Sequence, residues 1–473
     1  MKHPRFSRAL LRVLLIGLVG CGLFPSGIHP AGHADGDVAA AIDDLMSKAF
    51  KPDTPGAAVI AVKDGTVVFR RGYGLANMEL GVPNQPHMVY RLGSITKQFT
   101  SVAILMLAEQ GKLSISDEVT KYLPDFPTQG RKITIEHLLT HTSGIKNYTS
   151  LPDWVPLWRK DMTLTELIAL FKDKPLDFDP GEKWSYSNSG YILLGAIIEK
   201  ASGQTYQDFI EKQIFAPAGM THSYYDRTDL IIAGRAQGYS KGRNGFVNCA
   251  YLSMTQPYAA GSLASSVDDL ALWDAALYTE KLLKQDSLRR AWTSAHLNSG
   301  KLTHYGFGWE IGSIDGHPLI AHNGGIHGFA TSALRIPDER IYVAILANLD
   351  DQQPSPDDLA MKVAYLLLGK PYKEPVPIEL PSTVLDRYVG AYQLEGGPKT
   401  SVAKEGNRLF VTLGRKAELL PLSETEFCVK DSLNRISFSR DTAGQVTGLV
   451  LKTAQGIEVE ATRVNKPGEP SKK

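Results

Sequence analysis

Four prolines crowd the stretch KPYKEPVPIELPS, from Lys370 to Ser382. Proline fixes φ and has no backbone N–H to give, so neither a helix nor a sheet ladder runs through such a segment. Residues 371–382 therefore read as a linker, and the chain divides there into two parts of different texture. The total of 473 residues fits this division, being too long for one simple core. Apolar residues make up 43% and charged residues 21%, the balance of a globular protein.

Before the linker, residues 36–370 open and close with strands and hold helices between. PGAAVIAVKDGTVVFRRGYG (55–74) is a hairpin signal, two β-rich runs around KDG. A helix begins near Ser94, and helical patterns dominate to about residue 215, broken by loops rich in Pro, Gly and Ser. SVDDLALWDAALY (266–278) reads as another helix. TSALRI and IYVAILAN flank PDER as a second hairpin. SPDDLAMKVAYLLLG (355–369) is a helix with Ser355 as N-cap and Gly369 just past its end. The first and last strands are expected to share one antiparallel sheet with helices packed beside it. That is an α+β architecture, not an alternating doubly wound one. After the linker, residues 383–465 carry short strand-like runs such as YVGAYQL, SVAKEGNRLFVTL and RISFSRD, separated by turn residues. They read as a small antiparallel β domain, sandwich or barrel. The tail KPGEPSKK (466–473) reads as disordered.

The first 34 residues read as an export signal. MKHPRFSRALLR is basic, and VLLIGLVGCGLF is apolar but about half the length a membrane span needs. Two endings fit. LVGC, ending at Cys21, matches a bacterial lipobox whose cysteine becomes lipidated; cleavage after Ala34 would instead release a plain secreted protein. Either way the mature protein is expected outside the cytoplasm, periplasmic or at the cell surface, and membrane-attached if Cys21 carries lipid. The other cysteines, Cys249 and Cys428, have no spacing that suggests a pair or a zinc site. A net charge of +1 argues against a nucleic-acid partner.

RLGSITKQFTSVAILMLAEQG (91–111) carries the chemistry. Its second half is apolar, yet its first turn holds Ser94 and, three residues later, Lys97. The ordinary explanation is a helix cap and a solvated lysine. However, residues three apart share a helix face about 5–6 Å apart at Cβ. A lysine whose pKa is lowered by desolvation can take the proton of a serine hydroxyl. Two further stretches follow in order: PGEKWSYSNSGY (180–191), containing Tyr186-Ser187-Asn188, and IAHNGGIHG (320–328), containing His322-Asn323-Gly324-Gly325.

With S-I-T-K, Y-S-N and H-N-G in that order, residues 40–370 resemble the serine β-lactamase and penicillin-binding protein superfamily. The nearest likeness is to class C β-lactamases and the related D-amino-acid peptidases and esterases. HLLTHTSGI, AAGSLASSVDDLALW and YGFGW are secondary likenesses. The resemblance implies a β-lactamase/transpeptidase-like sheet flanked by helices with a helical subdomain, and a lipocalin-like domain at the C-terminus. It implies a serine hydrolase forming an acyl-enzyme on an amide or ester, without metal or cofactor. Its substrate would be a D-amino-acid peptide, a peptidoglycan fragment, a small ester or a β-lactam. In that scheme Ser94 is the nucleophile, Lys97 and Tyr186 share the proton transfers, and Asn188 holds Lys97 and a substrate amide. The N–H groups of Ser94 and Gly325 form the oxyanion hole, where one donor is worth ~3 kcal/mol. Gly325 lacks a side chain, which lets the acyl group lie along the strand, with Gly324 beside it in the substrate-binding run; the plain alternative is that the two glycines make a bulge. His322 stands where many relatives carry lysine, so help for a substrate carboxylate would be weaker and pH-dependent, which favours peptidase or esterase over efficient β-lactamase activity. The competing class is a binding or sensor protein that keeps the fold and acylates slowly or not at all.

Two other patterns compete. GYSKG (238–242) fits a G-x-S-x-G nucleophile elbow at Ser240, but RNGFVN follows where a helix is required. HLLTH places His137 and His141 at a metal-pair spacing, with Leu138 where a metalloprotease needs glutamate.

Overall fold

The computed structural model describes residues 36–464, apart from 396 and 398. The export segment with Cys21 and the tail 466–473 lie outside the described residues.

The KDG hairpin forms as the sequence indicates. Strand β1 (Ala57–Lys63) turns at Asp64 and Gly65, both at positive φ (52° and 75°), into β2 (Thr66–Tyr73). Two left-handed residues match the twist of the flanking strands. Four more strands complete the sheet: β3 (Glu310–Ile314), β4 (His317–Ile326), β5 (Phe329–Ile336) and β6 (Ile341–Ala347). The order is β3-β4-β5-β6-β1-β2, antiparallel throughout, so the last strand closes against the first with Ala57 opposite Ala347.

Both faces of β1 are buried, and the two sets of side chains alternate. Ala57, Val59 and Ala61 pack on α1 (Gly36–Ala49), through Ile42 and Met46, and on a late C-terminal helix. Ala58, Ile60 and Val62 face the helical body. That body is built on α2 (Thr96–Glu109), which is buried nearly all round, and α3 (Asn188–Ser202), which runs beside it. Phe99 of α2 stacks on Trp273 of α4 (Val267–Leu277) at 4.2 Å between ring centroids. The late helix is α5 (Pro356–Leu367), capped by Ser355, whose hydroxyl accepts from Asp358 N at 3.1 Å. Gly369 beyond it has φ +71°.

Residues 370–381 have no regular structure. Eight strands then close into an antiparallel barrel: β7 (Gly390–Leu394), β8 (Lys399–Glu405), β9 (Arg408–Leu413), β10 (Arg415–Pro421), β11 (Glu426–Val429), β12 (Arg435–Arg440), β13 (Val446–Lys452) and β14 (Glu458–Val464). Each pairs with the next, and β7 pairs with β14. Tyr388, Tyr392, Phe427 and Phe438 fill the interior. Of the two outcomes open in the sequence, sandwich or barrel, the chain takes the barrel.

The barrel docks on the first domain chiefly at α5 and at β3. Asp358 at the start of α5 accepts from Leu433 N at 2.7 Å and Ser432 Oγ at 3.1 Å. The turn between β13 and β14 lies on the edge strand β3, where Gln455 O accepts from Ser313 N at 2.9 Å. Cys249 and Cys428 are both free thiols.

Candidate active site

Ser94 sits in one 3-10 turn, Gly93–Ile95, that leads directly into α2. Gly93 has φ +54°, and a Cβ there would meet Gly325 N at 3.1 Å. At Gly324 a Cβ would lie 1.9 Å from Leu92 O. Glycine at these positions lets β4 press against the turn that carries Ser94. Thr331 of β5 fastens the contact, its Oγ1 donating to Leu92 O at 2.9 Å. Gly325 differs: nothing lies within 4 Å of its Cβ position, so its bare face looks into open space.

Lys97 follows one turn later and is fully buried. Its Nζ lies 3.0 Å from Ser94 Oγ, 2.9 Å from Asn188 Oδ1 and 2.8 Å from Ala260 O. Two of these three partners only accept. The Asn188 amide is oriented by its Nδ2, which donates to Thr149 Oγ1 at 3.2 Å. An ammonium would donate to all three oxygens; a neutral amine, with two N–H bonds and one lone pair, also fits two carbonyl oxygens and one hydroxyl. Burial pushes Lys97 well below the ordinary ammonium range, which favours the neutral form.

Asn188 is the first residue of α3, after Ser187 in the cap position, so its side chain is free for Lys97 rather than closing the helix end. Tyr186 approaches from the loop just before. Its hydroxyl is near enough to Ser94 for that side chain to act on its titration, and its ring centroid lies 4.8 Å from Lys97 Nζ. Burial raises the phenol far above its usual range, with the Ser94 contact acting against the shift. The proton therefore stays on the oxygen. The site thus gathers an amine whose charged form burial disfavours, a neutral phenol and a serine hydroxyl.

His322 sits elsewhere than the sequence suggests. It is buried behind Tyr186, ring centroids 6.3 Å apart, and does not line the cleft. Its Nε2 bonds the Tyr305 hydroxyl at 2.8 Å and its Nδ1 is 2.7 Å from Asn323 O. Burial first, and the Lys97 charge second, lower it to about 3, so it is neutral at ordinary pH. The cleft itself measures about 290 Å³ and is lined by Ser94, Asn188 and Gly325 together with Trp154, Leu252 and His327.

Four residues around Ser94 were not singled out for a role in the site from sequence: His141, Ala260, Tyr305 and His327. Three stood within quoted likenesses, HLLTHTSGI, AAGSLASSVDDLALW and YGFGW, and His327 lies two residues past Gly325. The competing patterns come apart. Ser240 lies in a short hairpin, Tyr239–Gly242 against Gly245–Asn248, with its Oγ donating to Asp350 Oδ2 at 2.5 Å. His137 caps a short helix, its Nδ1 accepting from Thr134 N at 3.2 Å. His141 lies beyond that helix at φ +60°, so the pair does not share one helix face.

Comparison with known proteins places this geometry. A family model described as Beta-lactamase matches residues 38–368, and one described as a domain of unknown function (DUF3471) matches residues 374–466. Penicillin-binding protein 4* of Bacillus subtilis (strain 168) is 32% identical over 434 residues, 86% of this chain and 94% of its own. The octameric penicillin-binding protein homologue from Pyrococcus abyssi superposes with a TM-score of 0.64 at 29% identity, over 90% of this chain and 99% of its own. A D-stereospecific amidohydrolase from Streptomyces sp. superposes with a TM-score of 0.55 at 28% identity, over 66% of this chain and 94% of its own. The sheet with its helical body, the serine one turn ahead of a buried lysine, and a family match over most of the chain agree: this chain belongs to the β-lactamase family.

Proposed function

We propose that the protein is a serine hydrolase that cleaves amide or ester bonds through an acyl-enzyme on Ser94. One observation carries this: the buried Lys97 Nζ lies 3.0 Å from Ser94 Oγ with its other two positions taken by carbonyl oxygens. In the neutral form, which burial favours, its lone pair faces the serine hydroxyl.

In the acylation step the Ser94 proton passes to Lys97 as Oγ bonds to the substrate carbonyl carbon. The carbonyl oxygen becomes an anion held by the backbone N–H groups of Ser94 and Gly325, and by the positive end of the helix that follows Ser94. The leaving nitrogen or oxygen takes the proton of the Tyr186 hydroxyl as its bond to carbon breaks, and Lys97 restores that proton. Water then attacks the acyl group with the same residues acting in reverse. Asn188 keeps Lys97 aimed and has its amide at the cleft wall beside the substrate. His322, neutral and enclosed, supports Tyr186 through Tyr305 rather than touching substrate.

Substrates in reach of this chemistry are D-amino-acid peptides, peptidoglycan fragments, small esters and β-lactams. The names of the relatives, penicillin-binding protein and D-stereospecific amidohydrolase, support the first of these. The leader sequence supports action outside the cytoplasm, with Cys21 as a lipid anchor; incorporation of a palmitate analogue that is lost in Cys21→Ser tests the anchor. The test of the central claim is covalent labelling. A fluorophosphonate is expected to label the wild type and not Ser94→Ala. Labelling that survives the substitution overturns the assignment, and labelling without ester or peptide turnover favours the sensor reading.

A further inference from the structure

The cleft at Ser94 presents no cation. No lysine or arginine is among the described residues that line it. Lys97 reaches only the serine from below, and its three positions are taken. His322 is enclosed, with both ring nitrogens engaged. Arg91, whose charge is felt at His327, is tied to the buried Asp226 at 2.8 Å.

The neutral polar groups on the wall are mostly committed as well. The Tyr148 hydroxyl donates to Gln256 O at 2.8 Å, and the Thr149 hydroxyl donates to Asn147 Oδ1 at 3.1 Å. What remains is His327, on the turn between β4 and β5. Its ring meets Trp158 edge-on at 4.3 Å, and its Nδ1 is buried without a partner. Burial lowers its pKa below the usual range, so it is a neutral donor or acceptor. The rest of the wall is apolar and stiff. Trp154 packs against Tyr148 and Trp158, and its indole N–H is fixed on Gln256 Oε1 at 2.8 Å. Leu252 and Ile326 complete the apolar lining.

We propose that this cleft is built for a small, uncharged substrate: an acyl or aminoacyl amide or ester with a bulky apolar group, and no free carboxylate beside the bond to be cut. Trp154, Leu252 and Ile326 take the apolar group, and His327 takes one neutral hydrogen-bonding group. This rests on the hydrolase reading above and narrows it. A carboxylate drawn into a cleft without a cation loses its water and finds no opposite charge, a heavy penalty for an ion. An ester or primary amide at the same place loses little.

The experiment uses matched substrates: N-acetyl-D-phenylalanyl-D-alanine, its C-terminal amide and its methyl ester. Each is measured by kcat/KM on the intact protein, or by competition against a fluorophosphonate probe where turnover is slow. The neutral forms are expected to exceed the free acid by roughly 10- to 100-fold. His327→Lys, which puts a cation on the wall, is expected to narrow that gap, read as the ratio of the neutral form to the free acid within the same variant. A free acid equal to or better than its amide overturns the proposal and leaves the hydrolase reading standing. A gap that His327→Lys leaves unchanged also overturns it, because the discrimination then does not come from this wall. Loss of Ser94-dependent labelling in the wild type removes both.

Discussion

His141 grips Tyr186 through both of its chain neighbours. The His141 carbonyl accepts from Ser185 N at 2.9 Å, its Nδ1 accepts from Ser187 N at 3.2 Å, and the two ring centroids lie 4.4 Å apart. With Nδ1 accepting, the proton sits on Nε2, which is buried without a partner. The residue also holds φ +60°, a conformation that costs a non-glycine residue. An unsatisfied donor and a strained backbone are retained where the phenol must be held still. His141→Ala is expected to lower kcat by about 100-fold with little change in KM, as misplaced catalytic groups do. His141→Asn keeps an acceptor for Ser187 N–H and is expected to recover part of the loss. Steady-state ester hydrolysis, with a thermal melt to confirm folding, checks both.

Lys97→Arg separates shape from basicity. Arginine remains charged at every accessible pH, so it has no lone pair to offer Ser94. Acylation by a fluorophosphonate is expected to fall by about a thousandfold or more. In the wild type, acid conditions protonate Lys97 and slow acylation, on a limb well below the ordinary lysine range because of burial. The variant is expected to lack that limb. Rapid-quench labelling across pH measures it.

Gly324 and Gly325 are neighbours with opposite consequences. A Cβ at Gly324 would strike Leu92 O at 1.9 Å and Thr331 Oγ1 at 2.3 Å, both on well-buried strands or turns. Gly324→Ala is expected to cost about 1–3 kcal/mol of stability and to displace the Ser94 turn. A Cβ at Gly325 meets nothing within 4 Å but points toward the cleft. Gly325→Ala is expected to fold normally and to acylate more slowly. Urea denaturation beside labelling rates distinguishes the two.

His322 makes stability depend on acid pH with a definite sign. Its folded pKa, about 3, lies below the ordinary 6.5. Between those values the unfolded chain binds a proton that the native protein refuses. Stability from this group is therefore full above about 6.5 and declines as pH falls toward 3, by about 1.4 kcal/mol per pH unit. His322→Gln removes the titration and keeps a side-chain partner for Tyr305. Its stability relative to wild type is expected to rise steadily from pH 6.5 to pH 4, as read by denaturant titration. Buried carboxylic acids such as Glu310, raised to about 8, act in the opposite direction, but they are common to both proteins and cancel in the difference.

Much of the fold was legible because its signals are local. The KDG turn, the Ser355 cap and the alternation of β1 each reflect a few adjacent residues. The barrel was read less completely. SVAKEGNRLFVTL is two strands around Gly406 (φ +59°), and EVEATRV, which becomes β14, is too polar to stand out by periodicity. At the site, Ser94, Lys97, Tyr186 and Asn188 carried motif spacing and do converge. His322 shared the motif but not the place, because which side of a strand faces a cleft depends on what packs behind it. Here that is Tyr305, seventeen residues earlier. His141 and His327 stood in quoted stretches, His141 as half of a metal-pair spacing, but nothing there marked the roles they take through tertiary contacts with Ser185, Ser187 and Trp158.

The barrel's seat on β3 is tight enough to test by a single side chain. At Gly312 a Cβ would lie 2.4 Å from Gln455 O and 2.9 Å from Gln455 Cβ, so the turn between β13 and β14 lies directly on the strand. Gln455 also donates from Nε2 to Glu310 Oε2 at 3.2 Å, two residues away on the same edge. Gly312→Val is expected to lift this turn and with it the packing of Ala454 on the first domain's core. The remaining attachment is Leu433, buried in the first domain's core, and the bonds of Asp358 to Leu433 and Ser432, plus exposed ion pairs such as Lys301 with Glu395, which contribute little. The irregular segment 370–381 should then be cut faster in limited proteolysis, and calorimetry should resolve two transitions where the wild type gives one. A single unchanged transition would mean that the turn moves aside at no cost and that Leu433 with Asp358 holds the barrel in place.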